Sequence, residues 1–411
     1  MFFARSILKP GVSAAETGSR ATRLNRWPIL LALLFHIAVM SMLLAKYDGN
    51  FSAFIGVGQD MLPSLVNPLD ALGAGTIVYK NAGENDGQFY YLLARHPLSA
   101  LSIFIPGARR GEMAFRCQRI LYPLCASLLC FGKREILPVM MVILNLLALV
   151  CGMAFLQKLL IHRGASQWLS LIFALSMGTL SNIRYDMTGL WETGLVLGCL
   201  WYGENRRWLP AAALLSLSFL TRETAIIALA PLVLYAALKR EMGGAWLLLS
   251  PAPWLLYKIV LREMNGIPIL ASGSAWAIGK SLPFATLAGF IRNIPGEHLS
   301  PVQLMQTLSA LLFLFFVIGC GFRALRELRS PPAACLLLLF QVALVPFAPQ
   351  DFFSGVSDMS RILVGIFPFL VLLFAERKSR SGALLLIGGI FFTVPGLLFY
   401  AFQKTFTYFC L

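Results

Sequence analysis

The chain has 411 residues, of which 58% are hydrophobic and only 13% are charged, and its formal net charge is +15. A soluble protein of this length carries roughly twice that fraction of charged residues. Long apolar runs recur from one end to the other, which excludes a soluble enzyme and predicts a helical protein that crosses a membrane many times. The basic residues are scattered at the ends of these runs, as in cytoplasmic loops that orient membrane proteins, so nucleic-acid binding is discounted.

The eight cysteines and four histidines show neither metal-ligand spacing nor a disulfide framework. Most of the cysteines fall in or beside apolar runs, where Cys behaves as a small hydrophobe, and no zinc site is expected. The sequence also has no glycine-rich phosphate loop after a strand and no Gly-x-Ser-x-Gly element, so direct use of a nucleotide is unsupported.

The N-terminal region is a basic tail, residues 1–27, followed by an apolar run from Pro28 to Ala45. A secretory signal peptide has a similar pattern, but no small-x-small cleavage site follows the run and many apolar segments come later. An uncleaved first span is therefore predicted, with the basic flank in the cytoplasm. This divides the chain into a cytoplasmic tail and a single transmembrane domain, residues 28–411.

Residues 47–135 are mixed polar and aromatic and are predicted to form a long first outer loop with short interfacial helices. Within this loop the run Ile120–Phe131 has only 12 residues, which is short of the roughly 20 needed to cross a bilayer. We expect this run to lie on the membrane or to dip into it.

The later apolar runs provide ten further predicted spans. They are 136–158, 166–183, 190–203, 208–221, 225–238, 245–261, 302–321, 333–349, 360–375 and 382–402. If every short basic loop is cytoplasmic, the spans alternate correctly only when 120–131 does not cross. The predicted fold is therefore an all-α polytopic membrane protein with about 11 transmembrane helices (10–12), its N-terminus inside and its C-terminus outside. Three spans of 14 residues each (190–203, 208–221 and 225–238) would admit water or thin the bilayer.

The first outer loop contains the octet Glu84-Asn85-Asp86-Gly87-Gln88-Phe89-Tyr90-Tyr91. Its carboxylates suit a proton or a metal ion, its amides suit hydroxyl groups, and its aromatic faces suit a sugar ring. An equally weighted alternative is a solvated loop with an aromatic belt at the membrane surface.

Two more polar groups fall on the predicted outer side: Arg184-Tyr185-Asp186 with Trp191-Glu192, and Thr221-Arg222-Glu223-Thr224. The planar fork of an arginine binds phosphate oxygens at two points, so Arg222 is a candidate ligand for a lipid phosphate. The alternative is an ion pair of Arg222 with Asp186 or Glu192 that only fixes helix packing. Arg116-Cys117-Gln118-Arg119 is a second phosphate candidate, or a basic flank that anchors an interfacial helix.

These elements, taken in order, resemble a known group of proteins. Asp86-Gly87-Gln88-Phe89-Tyr90-Tyr91, Ala94-Arg95-x-Pro97, Gln118-Arg119-Ile120-Leu121-Tyr122-Pro123 and Leu220-Thr221-Arg222-Glu223-Thr224 are similar to bacterial cell-surface glycopolymer formation membrane proteins. Glu84-x-Asp86 resembles the modified acidic motif of GT-C class glycosyltransferases, polytopic enzymes that use polyprenyl-phosphate sugars. The resemblance covers about residues 47–240. Asn85 departs from it, because an aromatic residue is expected before Asp-Gly.

The resemblance implies a GT-C-like fold and an inverting sugar transfer from a polyprenyl-phosphate donor to a cell-surface glycan or lipid-linked acceptor. The reaction would take place on the outer face of the bacterial cytoplasmic membrane. Asp86 would be the general base or would orient the acceptor, and Arg222, Arg119 and Arg116 would bind the leaving phosphate. Glu84 and Asp86 would share a Mg²⁺ or Mn²⁺ ion if a metal is used. The remaining candidates are Glu84 and Asp48 as further catalytic acids and Gln88, Gln118, Asp186, Glu192 and Glu223 as supporting polar groups.

Three other functions fit the same composition. A polysaccharide polymerase or ligase usually carries its key arginines in large late loops, whereas the late loops here, 262–301 and 350–359, are modest. A transporter or flippase is expected to show paired halves with broken helices at the midplane, which the sequence lacks. A non-catalytic scaffold is excluded only by an activity measurement.

Overall fold

The structure is a computed structural model that describes residues 24–80, 85–97, 99–106, 109–266, 301–329, 331–347, 356–377, 383, 387–388 and 408–411. Glu84 and most of the predicted span 382–402 lie outside the described residues.

The first long helix, α1 (Arg26–Ala45), coincides with the first predicted span. Asn25 precedes it, and its side chain accepts a hydrogen bond from the Trp27 backbone N–H, which satisfies one donor that the helix leaves free. Buried His36 contacts the Ala174 carbonyl oxygen at 2.8 Å, so one side of α1 packs on the protein. Leu34 and other large apolar side chains of the same helix are exposed, as expected for a face in contact with lipid.

The described residues between α1 and residue 130 contain four short helices. They are α2 (Pro68–Leu72), α3 (Gly87–Arg95), α4 (Arg110–Cys117) and α5 (Leu121–Leu129). Two 3-10 helices, Phe51–Phe54 and Gln59–Ser64, precede α2. Eight of the nine residues of α3 are buried, because α2, α4 and α5 pack around it. The nine residues of α5 replace the predicted apolar segment 120–131 and are too few to cross a bilayer.

The same region forms a small sheet that the all-α prediction lacks. β1 (Val57–Gly58) pairs in parallel with β2 (Ile77–Tyr79), and β2 pairs in antiparallel register with β3 (Tyr408–Cys410). Strands of two or three residues are too short to show the alternation by which a strand is recognised. The sheet holds the last residues of the chain against the first loop.

The central helices contribute to the largest hydrophobic core of the described residues. They are α6 (Leu137–His162), α7 (Ser170–Ala174), α8 (Met177–Arg184), α9 (Gly189–Glu204), α10 (Trp208–Thr221) and α11 (Ile226–Leu238). Short 3-10 helices precede α6 (Arg134–Ile136), α7 (Gln167–Leu169) and α11 (Glu223–Ala225). Helix α9 packs against both α6 and α10.

The predicted span 166–183 is not one continuous helix. Helix α7 ends before Leu175, and the Ser176 side chain accepts a hydrogen bond from the Thr179 backbone N–H to begin α8. A serine that caps a helix in this way favours a break rather than a continuous helix. The predicted span is therefore wrong in its continuity, although its two helical pieces fall within it.

The later part of the described chain is also helical. It contains α12 (Ala252–Asn265), α13 (Pro301–Leu325), α14 (Ala333–Val342), α15 (Val356–Ile362) and α16 (Ile366–Arg377). The 3-10 helices Met242–Leu249 and Val345–Phe347 precede α12 and follow α14. The predicted span 360–375 is divided between α15 and α16.

Within the described residues, four helical segments are long and apolar enough to cross a membrane: Arg26–Ala45, Arg134–His162, Met242–Met264 and Thr307–Leu325. Shorter apolar helices lie at 208–221, 223–238 and 333–347. The chain therefore has the architecture of a helical membrane protein, and the figure of 11 spans stays a prediction.

Ion pairs gather the C-terminal ends of several helices. Arg163, after α6, contacts Glu204 of α9 at 2.5 Å and Glu376 of α16 at 2.8 Å. Arg377, the last residue of α16, contacts Glu327, which follows α13, at 2.8 Å. The C-terminal ends of α6, α9 and α16 consequently meet in one charged cluster. The candidate site does not include this cluster and lies among other helix ends.

Candidate functional site

Asp86 immediately precedes α3 and is held by Arg116 of α4. The Nε atom of Arg116 donates to Asp86 Oδ1 at 2.9 Å, and the Nη2 atom of the same guanidinium also contacts that oxygen. Arg116 lies over the Phe89 ring at 4.1 Å from its centroid. This contact fixes the guanidinium plane between an aromatic face and the carboxylate. The octet and the Arg116-to-Arg119 segment are thus brought together.

Gly87 permits a close approach of three chain segments beside Asp86. A Cβ at this position would collide with the carbonyl oxygen of Tyr185 and would lie 2.7 Å from that of Ile55. Glycine is needed here because the backbone of α3 touches two other backbones, rather than because the chain turns at this residue.

Arg119 connects α3 to the turn between α10 and α11. Its Nε and Nη2 atoms donate to the two carboxylate oxygens of Glu223 at 2.9 and 2.5 Å. Its Nη1 atom donates to the Tyr90 hydroxyl at 2.7 Å and lies 3.7 Å from Asp86 Oδ2. With every nitrogen of the guanidinium engaged, Arg119 has little capacity left for a ligand.

Arg222 follows α10 and pairs with Glu192 of α9. Its Nη1 atom lies 3.5 Å from Glu192 Oε2, and Thr224 donates to the other oxygen of the same carboxylate at 2.7 Å. Of the two partners that the sequence suggested for Arg222, the structure places Glu192 beside it. The Nε atom of Arg222 is buried and has no hydrogen-bond partner among the described residues.

Asp186 lies in the turn between α8 and α9 with a positive φ of 49°. It is fully buried, and the Tyr122 hydroxyl and the Asn145 amide both lie 3.4 Å from its Oδ1 atom. Its Oδ2 atom has no hydrogen-bond partner among the described residues. Asp186 is therefore separate from the arginine-bound carboxylates, in a pocket of neutral polar groups.

The remaining sequence candidates are less closely joined to this cluster. Gln88 is buried and its Oε1 atom accepts a hydrogen bond from the Gly58 N–H at 3.2 Å, which ties α3 to β1. Gln118 is buried between Arg116 and Arg119 in sequence. Asp48 is exposed beside the sheet, where its carboxylate accepts from the Tyr408 hydroxyl at 3.2 Å. Glu84 lies outside the described residues, so the structure does not describe the predicted metal-binding pair of Glu84 and Asp86.

The described part of the chain contains no group of three or more His, Cys, Asp or Glu side chains arranged to hold a metal ion. Asp86 and Glu223 are paired with arginines instead.

The positive charges of the arginines determine the pKa values of the acids in the cluster. Burial alone would raise the pKa of Asp86, but the charges of Arg116, Arg119 and Arg361 outweigh burial and hold that pKa well below its usual range. Burial opposes the effect of Arg119 and Arg222 on Glu223 in the same way, and the net result is a lowered pKa. Both carboxylates are therefore ionised at neutral pH.

Asp186 behaves in the opposite sense. Burial raises its pKa to about 7, and the hydrogen bonds from Asn145 and Tyr122 and the charge of Arg184 offset burial only in part. The site thus contains two acids that are held ionised, Asp86 and Glu223, and a separate acid, Asp186, that gains a proton near neutrality.

Several polar residues near the site were not assigned a role from the sequence, although Tyr122 lies within one of the motifs of the resemblance. Asn145 and Tyr122 contact Asp186, and Lys258 of α12 is buried with its ammonium 4.6 Å from the Trp254 ring centroid. A signal for Lys258 was present, since an ionisable residue inside an apolar span is a functional candidate by default. Nothing in the local pattern of the sequence distinguishes Asn145.

No protein-family model, curated protein or solved structure matches the chain. The site must therefore be interpreted from its own geometry.

Proposed function

We propose that the protein is a membrane glycosyltransferase with a GT-C-like fold of about 11 spans, a number set by the apolar runs of the sequence. It transfers a sugar from a polyprenyl-phosphate donor, with inversion, to a cell-surface glycan or lipid-linked acceptor. The supporting observation is that Asp86, Arg116, Arg119, Glu223 and Arg222 gather beside apolar helices from separate segments of the chain.

The arginines divide into a structural one and two that suit a ligand. Arg119 is saturated by Glu223 and Tyr90, so its role is to hold α3 and the turn at Glu223 in place. Arg116 is partly exposed, with 18% of its side chain accessible, and Arg222 has an Nε atom without a hydrogen-bond partner among the described residues. Because a phosphate accepts charge-assisted hydrogen bonds from an arginine fork at two points, Arg116 and Arg222 are the candidate donor ligands.

The pairing of Asp86 with Arg116 bears on the chemistry. A carboxylate whose pKa lies far below the working pH is a weak general base. When the donor phosphate takes Arg116, Asp86 loses its nearest positive charge and its pKa rises. Asp86 then accepts the proton of the acceptor hydroxyl, whose oxygen bonds to the anomeric carbon while the bond from that carbon to the phosphate oxygen breaks. The polyprenyl phosphate leaves with the electron pair and is stabilised by the arginines.

The arrangement of helix ends supports a site on one side of the membrane. The charged cluster around Arg163 and Glu204 lies at the C-terminal ends of α6 and α9, whereas Asn145 and Glu192 lie in the N-terminal halves of these helices. The strand pair β2–β3 also places the C-terminal residues beside the first loop. Both features support a site on one side of the membrane, and the proposal assigns that side to the outer face of a bacterial cytoplasmic membrane.

Cysteine labelling tests this orientation. Exposed Ser102, in the first loop, and exposed Asn205, after α9, are replaced one at a time by cysteine in a background without the exposed Cys151 and Cys410. An impermeant maleimide should label position 102 in whole cells and should label position 205 only after the membrane is opened. The reverse pattern would place the site on the inner face.

Sugar transfer tests the function itself. Purified protein is incubated with a panel of polyprenyl-phosphate sugars and a mixture of envelope glycans, and release of polyprenyl phosphate is measured. Asp86→Asn should lower the turnover per folded molecule by about 10²–10⁴-fold, the usual range for a positioned general base. The matched control is Asp60→Asn, an exposed acid in the same loop, which should keep full turnover.

Two results would contradict the proposal. One is the absence of donor cleavage with every sugar tested. The other is a turnover of Asp86→Asn within about threefold of wild type, well below the loss expected for a base. Movement of the intact donor across vesicles without cleavage would favour a flippase. A parallel series with a chelator tests whether a divalent ion shared by Glu84 and Asp86 is required.

A further inference from the structure

Lys258 is a buried cation in an apolar segment. It is only 8% exposed and lies within Met242–Met264, one of the segments apolar enough to span a membrane. A lysine in such a segment is energetically unfavourable unless an anion compensates its charge or its ammonium reaches the membrane surface. Among the described residues its ammonium makes no hydrogen bond and no ion pair, and its nearest aromatic contact is the Trp254 ring, 4.6 Å away.

Helix α12 places this lysine beside the arginine cluster. The Tyr257 hydroxyl donates to the Cys117 carbonyl oxygen at 3.2 Å, which joins α12 to the segment between Arg116 and Arg119. The Trp254 ring packs against Phe219 of α10 with centroids 6.0 Å apart, three residues before Arg222. Lys258 also interacts electrostatically with the Glu223 carboxylate. Helix α12 therefore lies next to both segments that carry the candidate phosphate ligands.

Two buried hydrogen-bond donors near Lys258 lack acceptors. The Nε atom of Arg222 and the indole Nε1 atom of Trp254 are buried and lack partners among the described residues. The ion pairs of Arg116, Arg119 and Arg222 occupy the carboxylates Asp86, Glu112, Glu192 and Glu223, and among the described residues none of these carboxylates forms an ion pair with Lys258. Buried donors and a buried cation are unfavourable without an anion to complete them.

We propose that Lys258 and Arg222 form an anion subsite that binds the phosphate of the lipid-linked donor. The inference rests on the proposed function, because that function supplies a phosphate-bearing lipid. Arg222 contributes a planar fork that fixes the orientation of the phosphate, and Lys258 contributes a point charge for the oxygen that becomes free when the sugar leaves. The negative charge of Glu223 attracts both Arg222 and Lys258 and keeps them in place before the ligand arrives.

The test measures binding of undecaprenyl phosphate to the detergent-solubilised full-length chain, with undecaprenol as the neutral probe. Lys258→Met should weaken binding of the phosphate by about 10- to 100-fold, as expected for the loss of one hydrogen bond between charged groups. Lys258→Arg should restore it to within a few-fold of wild type. Binding of undecaprenol should not change in either variant.

The matched control is Lys158→Met. Lys158 is half-buried on an apolar helix, with its ammonium 5.4 Å from the Phe155 ring and 5.9 Å from the Trp201 ring. It lies about one turn before Arg163, in the other charged cluster, so its removal should leave binding of undecaprenyl phosphate unaltered.

The outcomes separate the inference from the function on which it rests. If folded Lys258→Met binds undecaprenyl phosphate within twofold of wild type while Arg222→Met does not, Lys258 is not a ligand and only the inference fails. If wild-type protein does not distinguish undecaprenyl phosphate from undecaprenol, the proposed function fails as well. If Lys258→Met and Lys258→Gln do not fold whereas Lys258→Arg does, the lysine is a structural counter-charge for Glu223 and the inference is overturned.

Discussion

Arg119 donates to both carboxylate oxygens of Glu223, although the two residues are 104 positions apart in the chain. The guanidinium is almost completely buried, with 4% of its side chain exposed, and Glu223 is 22% exposed. This pair joins the end of α4 to the turn between α10 and α11. The first loop and the helix bundle are thereby locked together at the place where the candidate site lies.

Breaking this pair should destabilise the fold. Glu223→Gln leaves Arg119 as an unbalanced buried charge, and removal of one partner of a buried pair costs roughly 3–5 kcal/mol. We expect a clear fall in the Tm of the detergent-solubilised protein, and a smaller fall for the double variant Arg119→Met/Glu223→Met. The control is Arg206→Gln, which removes the pair of Arg206 with Glu241 where the arginine side chain is 78% exposed, and it should leave the Tm almost unchanged. Equal Tm losses for Glu223→Gln and Arg206→Gln would contradict a locking role.

Gly87→Ala should separate the segments that meet beside Asp86. The added Cβ would collide with the Tyr185 carbonyl oxygen, and a backbone atom cannot move aside like a flexible side chain. Overpacking of this kind typically costs about 1–3 kcal/mol. The Tm should fall accordingly, and donor cleavage should fall further than stability alone explains, because Asp86 is displaced. Gly111→Ala is the control, since a Cβ there meets nothing within 4 Å. A Gly87→Ala protein with normal Tm and turnover would show that the three segments have room to separate.

The sequence was most informative where polar residues bound an apolar run. Helix α10 spans Trp208–Thr221, the same limits as the predicted segment, because Arg207 and Arg222 flank the run on either side. It was least informative where a tertiary contact decides the structure. The strand β2 has only three residues, and its partner β3 lies about 330 positions later in the chain, so no local pattern indicates either of them.

The same distinction holds for the site. Residue type and position were enough to select Asp86, Arg116, Arg119, Arg222 and Glu223, which the structure brings together. The pairing of each arginine was not accessible, because a guanidinium can reach any carboxylate that folding places nearby. Arg222 had two suggested partners, and only the packing of α9 against α10 selects Glu192. Asp48 was selected by its residue type alone, and it lies beside the sheet instead.

The ionised carboxylate of Asp86 should stabilise the fold near neutral pH, and this stabilisation should be lost in acid. Burial by itself raises the pKa of this carboxyl, but Arg116, Arg119 and Arg361 hold the net value well below its usual range. An acid with a lowered pKa in the folded state contributes stability above its unfolded value of about 3.9, and this contribution is lost as the pH falls below that value. The Tm difference between wild type and Asp86→Asn should therefore shrink as the pH is lowered from about 5 to about 3. A difference that stays constant over this range would mean that the arginines do not act on Asp86.

Asp186 should have the opposite dependence on pH. Burial raises its pKa to about 7 in the folded state, whereas an unfolded aspartate titrates near 3.9. The folded protein therefore holds a proton that the unfolded chain has lost between these values, and the stability of wild type should fall as the pH rises from about 4 to about 7. The slope approaches about 1.4 kcal/mol per pH unit for one proton and flattens above the folded pKa.

Asp186→Asn should abolish this slope. Asparagine tolerates the positive φ at this position, and its side-chain oxygen can accept hydrogen bonds from Tyr122 and Asn145 as the protonated acid does. The measurement is the Tm of wild type and variant from pH 4 to pH 8.5. The variant should match wild type near pH 4, exceed it by a growing margin up to about pH 7, and keep a nearly constant margin above that value. Asp70→Asn, at an exposed acid, is the control and should follow wild type throughout. Parallel curves for wild type and Asp186→Asn would show that Asp186 is already ionised at pH 5 and that burial does not govern its charge.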